Sequence, residues 1–376
     1  MTTERLVRIL VLVLAACAFA CAGALFYGGM LHASDRWMYG GLAIAVVAVA
    51  CSFTGILPGS TSQRLAGSIA CALAILAGVL ETQTHSDLFV AVASSAFGAQ
   101  VIKIAIPYVL ASIGGAITER SGVVDLAIEA KLLFGAFTGA AIAYATDSAY
   151  VGVLGGMLAG MAIAALQLGL ALKLSADQVI VGVALNLLAL GGTRFLLQLI
   201  FHEGANSPPC PAFEDAIFAN PIFWLAAGAA VIVPLAMRRT RWGLRLRAAG
   251  DRPEALVAVG VAPTRARFAA GLVGGALAGA GGAQLSLAVG GFSADMSSGR
   301  GYIALAMVIL SGWRPAWAAI GCLGVATAEA LETQLQVTGS AVPRELAPLL
   351  PYVLTLIVVV VASGKSKSPR ALGKLE

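Results

Sequence analysis

The chain has 376 residues, 59% of them hydrophobic and 11% charged, with a mean hydropathy of +0.90. Soluble domains carry roughly 25% charged residues, so this composition excludes a soluble globular protein and calls for an all-α, polytopic transmembrane bundle. The formal net charge of +5 does not point to nucleic acid, because the positive residues fall in short loops and in Lys365, Lys367, Arg370 and Lys374.

A helix needs about 20 apolar residues to cross a bilayer. On that criterion spans are predicted at 7–30, 38–57, 65–82, 88–117, 131–146, 150–172, 179–201, 218–237, 267–289, 300–312, 315–332 and 346–363. Two of these are irregular: 88–117 is long and contains Lys103 and Pro107, and 300–312 is short. Both are read as broken or re-entrant helices, giving about 10–12 true spans. The first span follows Arg5 and Arg8 and contains the lipoprotein-like box Leu14-Ala15-Ala16-Cys17. With so many spans behind it, it is read as an uncleaved helix.

Positive residues near spans are retained on the cytoplasmic side. Eight of the 24 Lys and Arg residues lie between Arg238 and Arg267, and the loop His202–Ile217 has acids but no Lys or Arg. An N-in start puts the arginine-rich loop, the Arg120–Lys131 loop and the tail 364–376 inside; Arg36, Arg300 and Arg344 are the exceptions. Both termini are therefore expected on the cytoplasmic side.

No catalytic motif is present. Gly364-Lys365-Ser366 lacks the glycine a phosphate loop needs five positions earlier, where Val359 stands. Five of the six cysteines fall in apolar segments, Cys210 lies alone in a polar loop, and the three histidines occupy outer loops without paired carboxylates. No enzyme activity, metal, cofactor or disulfide is expected.

Polar groups in or beside apolar helices are costly and tend to face a cavity or the bundle interior. Three sets qualify as substrate-path residues. Asp125 and Glu129 are four apart and would share a helical face if 114–129 is a broken helix; an ordinary capped loop explains the same spacing. Gln178, Asn186 and Arg194 lie on one span with Gln198, and interhelical hydrogen bonding is an equal reading. Arg300 and Tyr302 follow Ser297-Ser298-Gly299, where glycines permit irregular backbone at membrane depth, or simply a loop.

Two segments echo each other. Residues 152–168 and 271–287 align without gaps, with identities including Gly152/Gly271, Gly156/Gly275 and Gly160/Gly279. In the predicted topology they run in opposite directions, as inverted repeats of transporters do. Coincidence among Gly-rich helices that pack tightly is the alternative.

The arginine-rich loop, 238–266, also contains a short helix signal. Asp251 can cap a first turn holding Pro253 and Glu254, Ala255, Leu256 and Val259 offer an apolar face, and Gly260 can end the helix. An exposed apolar face implies a partner.

The stretches Thr118–Glu129, Asp177–Asn186, Gly243–Gly250 and Gly299–Ala306 together resemble the permease subunits of ABC importers for branched-chain amino acids, ribose-type sugars and nucleosides, most closely the nucleoside branch. The likeness covers 88–363; residues 1–87 look like three additional helices. It implies a permease that moves a small-molecule substrate by alternating access. Its implied partners are a second permease subunit in a heterodimer, ABC ATP-binding subunits docked at the 251–260 coupling helix, and an extracytoplasmic substrate-binding protein. Where the nucleoside branch usually reads Gly-Ile-Glu-Gly, this chain has Ala127-Ile128-Glu129-Ala130 followed by Lys131, which bears on substrate identity. An ion-coupled secondary transporter, or an ABC permease for a sugar or branched-chain amino acid, is the competing reading.

Overall fold

The structure is a computed structural model that describes residues 95–213, 217–337 and 368–373. The spans predicted at 7–30, 38–57, 65–82 and 346–363, and with them the additional helices of 1–87, lie outside the described residues. The described residues divide between two compact units. The main one contains Ile102–Leu323 and the turn 368–373, and the other contributes 95–101 and 324–337.

Ten α-helices occur among the described residues, with no strand beyond an isolated bridge between Asn206 and Ser293. They are α1 (Ser95–Arg120), α2 (Ile128–Thr146), α3 (Ala149–Leu168), α4 (Gln178–Phe201), α5 (Pro221–Arg239), α6 (Arg241–Asp251), α7 (Pro253–Ala258), α8 (Pro263–Val289), α9 (Arg300–Leu310) and α10 (Pro315–Val337). A π-helical turn, Gly169–Lys173, extends α3. Six of the ten, namely α1, α2, α3 with its extension, α4, α5 and α8, are long and apolar enough to cross a membrane.

Local chemistry sets several of these starts. Asp177 accepts from the Val179 and Ile180 N–H groups at 2.8 and 3.1 Å, and Asn220 from Ile222 at 2.9 Å. Thr240 accepts from Gly243 at 3.1 Å and so begins α6 inside what the sequence reads as an arginine-rich loop. Side-chain oxygens of this kind satisfy N–H groups that have no intrahelical acceptor. The expected break at Pro107 does not occur, and α1 continues through it. The predicted short segment is α9, whose 11 residues reach only about 16 Å against a hydrocarbon core of about 30 Å.

At the core of the main unit α2, α3 and α8 are held together by glycines, with the buried helix α1 crossing α8 at Gly114 and Gly274. A methyl added to Gly135 would lie 2.8 Å from the Gly279 Cα, and one added to Gly156 would lie 2.8 Å from the Ala283 Cβ. Backbones therefore touch, as packing in lipid favours. The register gives direction: Gly135 and Gly139 of α2 meet Gly279 and Ala283 of α8 in the same order, whereas Gly156, Gly160 and Ala164 of α3 meet Ala283, Gly279 and Gly275 in reverse order. Thus α3 and α8 are antiparallel. In the aligned echo Gly160 corresponds to Gly279, Gly156 to Gly275 and Ala164 to Ala283. The contacts pair each position with its mirror image about Gly160/Gly279, which is the register a local two-fold axis produces.

In the other unit, the C-terminal part of α10 is stitched by the Thr333 hydroxyl donating to the Glu329 carbonyl at 3.0 Å and by Gln336 donating to the Glu332 carboxylate at 3.1 Å.

Candidate transport site

Between α1 and α2 the chain leaves the helix over residues 121–127 and then re-enters one. Most of this stretch is buried, so its backbone groups need partners that are not water. Side chains supply them. The Val124 N–H donates to Gln178 Oε1 at 2.7 Å and its carbonyl accepts from Gln167 Nε2 at 3.1 Å. The Asp125 N–H donates to Glu119 Oε1 at 3.3 Å, and the Leu126 carbonyl accepts from Asn186 Nδ2 at 2.8 Å.

Beyond the break, the first turn of α2 meets the first turn of α9 end to end. Ala127, the residue before α2, makes no side-chain cap. Asn186 of α4 does that work from a distance, its Oδ1 accepting from the Ala130 N–H at 3.0 Å and its Nδ2 also reaching the Tyr302 hydroxyl at 3.1 Å. Glu129 does the same for α9: Oε1 accepts from the Gly299 N–H at 2.8 Å and Oε2 from the Gly301 N–H at 2.6 Å. Two helix N-termini, each carrying about half a positive charge, thus converge on one carboxylate. Gly299 has φ +79°, and a side chain at Gly301 would run into the Glu129 backbone. Both glycines are needed for the approach.

The depth of this centre follows from α1. Ala304 and Ile128 cluster with Ala111, and the Arg300 guanidinium lies over the Tyr108 ring, 6.0 Å from its centroid. Tyr108 is 12 residues, or about 18 Å, from the Arg120 end of the helix. Arg300 also donates to the Met296 carbonyl at 3.0 Å. The chain reaches this depth from the far end of α8 through residues 290–299. That segment is bonded to the 205–213 loop by Ser207 donating to the Phe292 carbonyl at 2.8 Å, Cys210 to Gly290 at 2.9 Å and Ala294 to Ala205 at 2.8 Å.

Nearer the Arg120 end lie three buried ionisable side chains. Lys131 and Asp125, each 1% exposed, pair at 2.5 Å. Glu119 is buried and accepts the Trp313 indole N–H at 2.6 Å. Next come α6 and α7. The Arg267 guanidinium of α8 donates to the Ser121 carbonyl at 3.4 Å and to the Ala249 carbonyl at 3.3 Å, joining the break to the end of α6. Gly250 packs directly on the Arg120 and Gly122 backbone, where a methyl would fall 3.1 Å from the Gly122 nitrogen.

A helical bundle with a half-length helix, a buried break supported by side chains and polar groups gathered beyond it is the architecture of a solute path. Comparison with known proteins identifies which kind. Residues 97–359 match the family described as branched-chain amino acid transport system / permease component. The chain belongs to this permease family. It is 28% identical over 298 residues to the guanosine ABC transporter permease protein NupQ of Bacillus subtilis (strain 168), a match spanning 72% of this chain and 92% of that one. It is 30% identical over 295 residues to the nucleoside ABC transporter permease protein NupC of Lactococcus lactis subsp. cremoris (strain MG1363), covering 71% and 92%. A more distant relative, 26% identical over 253 residues and covering 60% and 67%, is the glucose ABC transporter permease protein TsgB13 of Haloferax volcanii. No solved structure matches. The protein is a multi-pass ABC importer permease, and permeases of this kind work with ATP-binding and substrate-binding proteins.

In this permease the expected path residues separate. Glu129, Asn186, Arg300 and Tyr302 come together at the meeting of α2 and α9. Gln178 stands one step toward the Arg120 end, bonded to the break, with its Nε2 buried and unpaired among the described residues. Asp125 does not share a helical face with Glu129: it precedes α2 and turns to Lys131, a partner the four-residue spacing did not reveal. Arg194 and Gln198 do not share the Asn186 face either, since Asn186 is buried while both of them are exposed. Eight residues of helix rotate the direction by about 80°, enough to part them. Tyr302 is 50% exposed, so one end of its ring is free while its hydroxyl is held. Gln167, Lys131, Glu119 and Trp313 belong to the same polar system; the sequence marks Glu119 only as part of the Thr118–Glu129 stretch and Lys131 only as a departure beside Glu129, while Gln167 and Trp313 read as isolated residues.

The short helix expected around Asp251–Gly260 is α7, with two differences. Arg252, not Asp251, precedes it; Asp251 ends α6 and pairs with Arg120 at 3.6 Å. Leu256 faces inward at 4% exposure, while Val257 and Val259, at 63% and 72%, face out with Glu254, Ala255 and Gly260. Pro253 is buried at the first helical position, and Gly260 has φ +74° just past the last.

Proposed function

We propose that this permease moves nucleosides inward across a bacterial cytoplasmic membrane. The observation that carries this reading is the similarity to guanosine and nucleoside permease proteins along 92% of their length. The polar centre is chemically compatible. A nucleoside needs neutral donors and acceptors with an aromatic surface, and Asn186, Gln178 and the half-exposed Tyr302 ring are of that type. Glu129, Asp125 and Arg300 complete the proposed path set, with Glu129 and Asp125 as organisers of its walls, and Arg194, on another face of α4, is left out of it.

The arginine-rich side of the molecule, with α6 and α7, is proposed to face the cytoplasm, and both termini with it. There the outward groups of α7, Ala255, Val257 and Val259 flanked by Glu254 and Gly260, are proposed to seat in an ATP-binding subunit, with Asp251, Pro253 and Leu256 holding the helix in place. A second permease subunit in a heterodimer and an extracytoplasmic binding protein complete the assembly.

Uptake by vesicles containing the full complex tests the reading. Competition by nucleosides, with no effect of pentoses, glucose or branched-chain amino acids, is the expected result. Competition by a sugar or amino acid alone would replace the nucleoside assignment. Uptake that persists without ATP on a proton or sodium gradient would overturn ATP-driven import itself.

A further inference from the structure

A short turn from far along the sequence, residues 368–373, sits where α6 and the α1–α2 break meet. The Leu372 N–H closes the turn on the Pro369 carbonyl at 3.2 Å. Two other N–H groups point away from it to different elements. Ala371 donates to the Gly250 carbonyl at 2.8 Å, and Gly373 donates to the Gly122 carbonyl at 3.1 Å. Leu372 packs against a third place, the cluster of Ala116, Val308, Trp313 and Ala318 at the corner between α9 and α10.

These attachments interlock with those of Arg267. Each of the two chain segments presents successive carbonyls, Ser121 and Gly122 on one and Ala249 and Gly250 on the other. Arg267 takes the first of each pair and the turn takes the second. Trp313, against which Leu372 lies, in turn holds Glu119, and Glu119 holds the Asp125 N–H. The turn therefore touches both the exit of α6 and the polar chain that leads toward the α2–α9 centre.

We propose that residues 368–373 form a strap that makes the α6–α7 pair and the α1–α2 break move as one piece, so that displacement of α7 reaches Glu119, Asp125 and Glu129. The strap is a positioning element for transport, and its role rests on the ATPase-docking role proposed for α7. A mere cover would shield one surface. This turn bonds to two separate backbone segments and packs on a third.

The test uses the complete transporter in proteoliposomes and reads the amount of assembled complex, basal ATP hydrolysis and substrate moved per ATP. Ala371→Pro removes the donor to Gly250 and is disfavoured at the third position of such a turn. It is expected to leave assembly and basal hydrolysis at wild-type levels and to lower substrate moved per ATP about tenfold. Leu372→Ala keeps both hydrogen bonds and is expected to lower the ratio about threefold, serving as the decisive variant should Ala371→Pro fail to accumulate. A wild-type ratio in the accumulating variants, or loss of assembly at an unchanged ratio, overturns the strap alone. Retention of the ATPase by a Val257→Asp/Val259→Asp variant would overturn the docking role of α7 and the strap with it.

Discussion

Glu129 caps a helix it does not belong to: its carboxylate binds the N–H of Gly301, two residues into α9, at 2.6 Å. Together with the bond to Gly299 this anchors the half-length helix at its buried end. Glu129→Gln keeps the shape but removes the charge that two helix ends share, a loss of about 1–2 kcal/mol in a partly buried setting. The initial uptake rate per assembled complex is expected to fall about tenfold at unchanged ATPase association. Wild-type uptake would show that the anchoring of α9 has no part in transport.

Breaking the Lys131–Asp125 pair is expected to be worse for stability than removing it. Lys131→Met alone leaves a buried carboxylate without its cation and should cost about 3–5 kcal/mol, whereas Lys131→Met with Asp125→Leu should recover most of that. Thermal unfolding of the purified permease in detergent measures both. Equal losses in the single and double variants would mean that the pair is not isolated from water.

The two faces of α7 make separable predictions. Val257→Asp with Val259→Asp changes only outward groups and should abolish co-purification of the ATP-binding subunit without changing the melting temperature. Leu256→Asp puts a charge at a buried position and should lower the melting temperature as well, by an amount equivalent to about 2–4 kcal/mol.

At the glycine crossing, Gly160→Leu is expected to prevent accumulation of folded protein. Gly160→Ala, whose methyl would lie 2.7 Å from the Gly279 Cα, should destabilise by about 1–3 kcal/mol. Gly191, where an added methyl would meet nothing within 4 Å, is the control, and Gly191→Ala should be neutral or stabilising by up to about 1 kcal/mol. Membrane levels and thermal unfolding report all three.

Asn186→Ala removes three hydrogen bonds at once, leaving the Ala130 N–H and the Leu126 carbonyl without their partner. Uptake is expected to fall at least tenfold while complex assembly stays normal, since the cost of about 1–3 kcal/mol is local to the break. Asn186→Gln, longer by one methylene, should not restore it.

Among the described residues the six long spans were legible because a single property, sustained apolarity over about 20 residues, dictates them. The glycine ladders were equally plain, and so was their antiparallel course. What the sequence hid was pairing between distant elements. Asp125 and Glu129 look like a matched helical pair, yet the break at 121–127 turns one to Lys131 and the other to Gly301, and spacing says nothing of a bend. Arg194 and Asn186 share a span but not a face. The helix α6 was hidden by its own arginines, which read as loop, although Gly243, Leu246, Ala249 and Gly250 form its buried stripe. The side Leu256 takes is hidden too, because six residues make too few turns for periodicity to choose between the outer face of α7 and the buried one it occupies.

The contact between Gly160 and Gly279 has a mechanical consequence. A crossing made of backbone against backbone has no rotamers to exchange and no slack to take up, so it admits one geometry. The α3–α8 pair is therefore expected to stay one rigid piece through a transport cycle. By contrast α4, through Asn186, and α9, through Glu129, are tied to the break by side-chain hydrogen bonds, which can exchange partners as a backbone contact cannot.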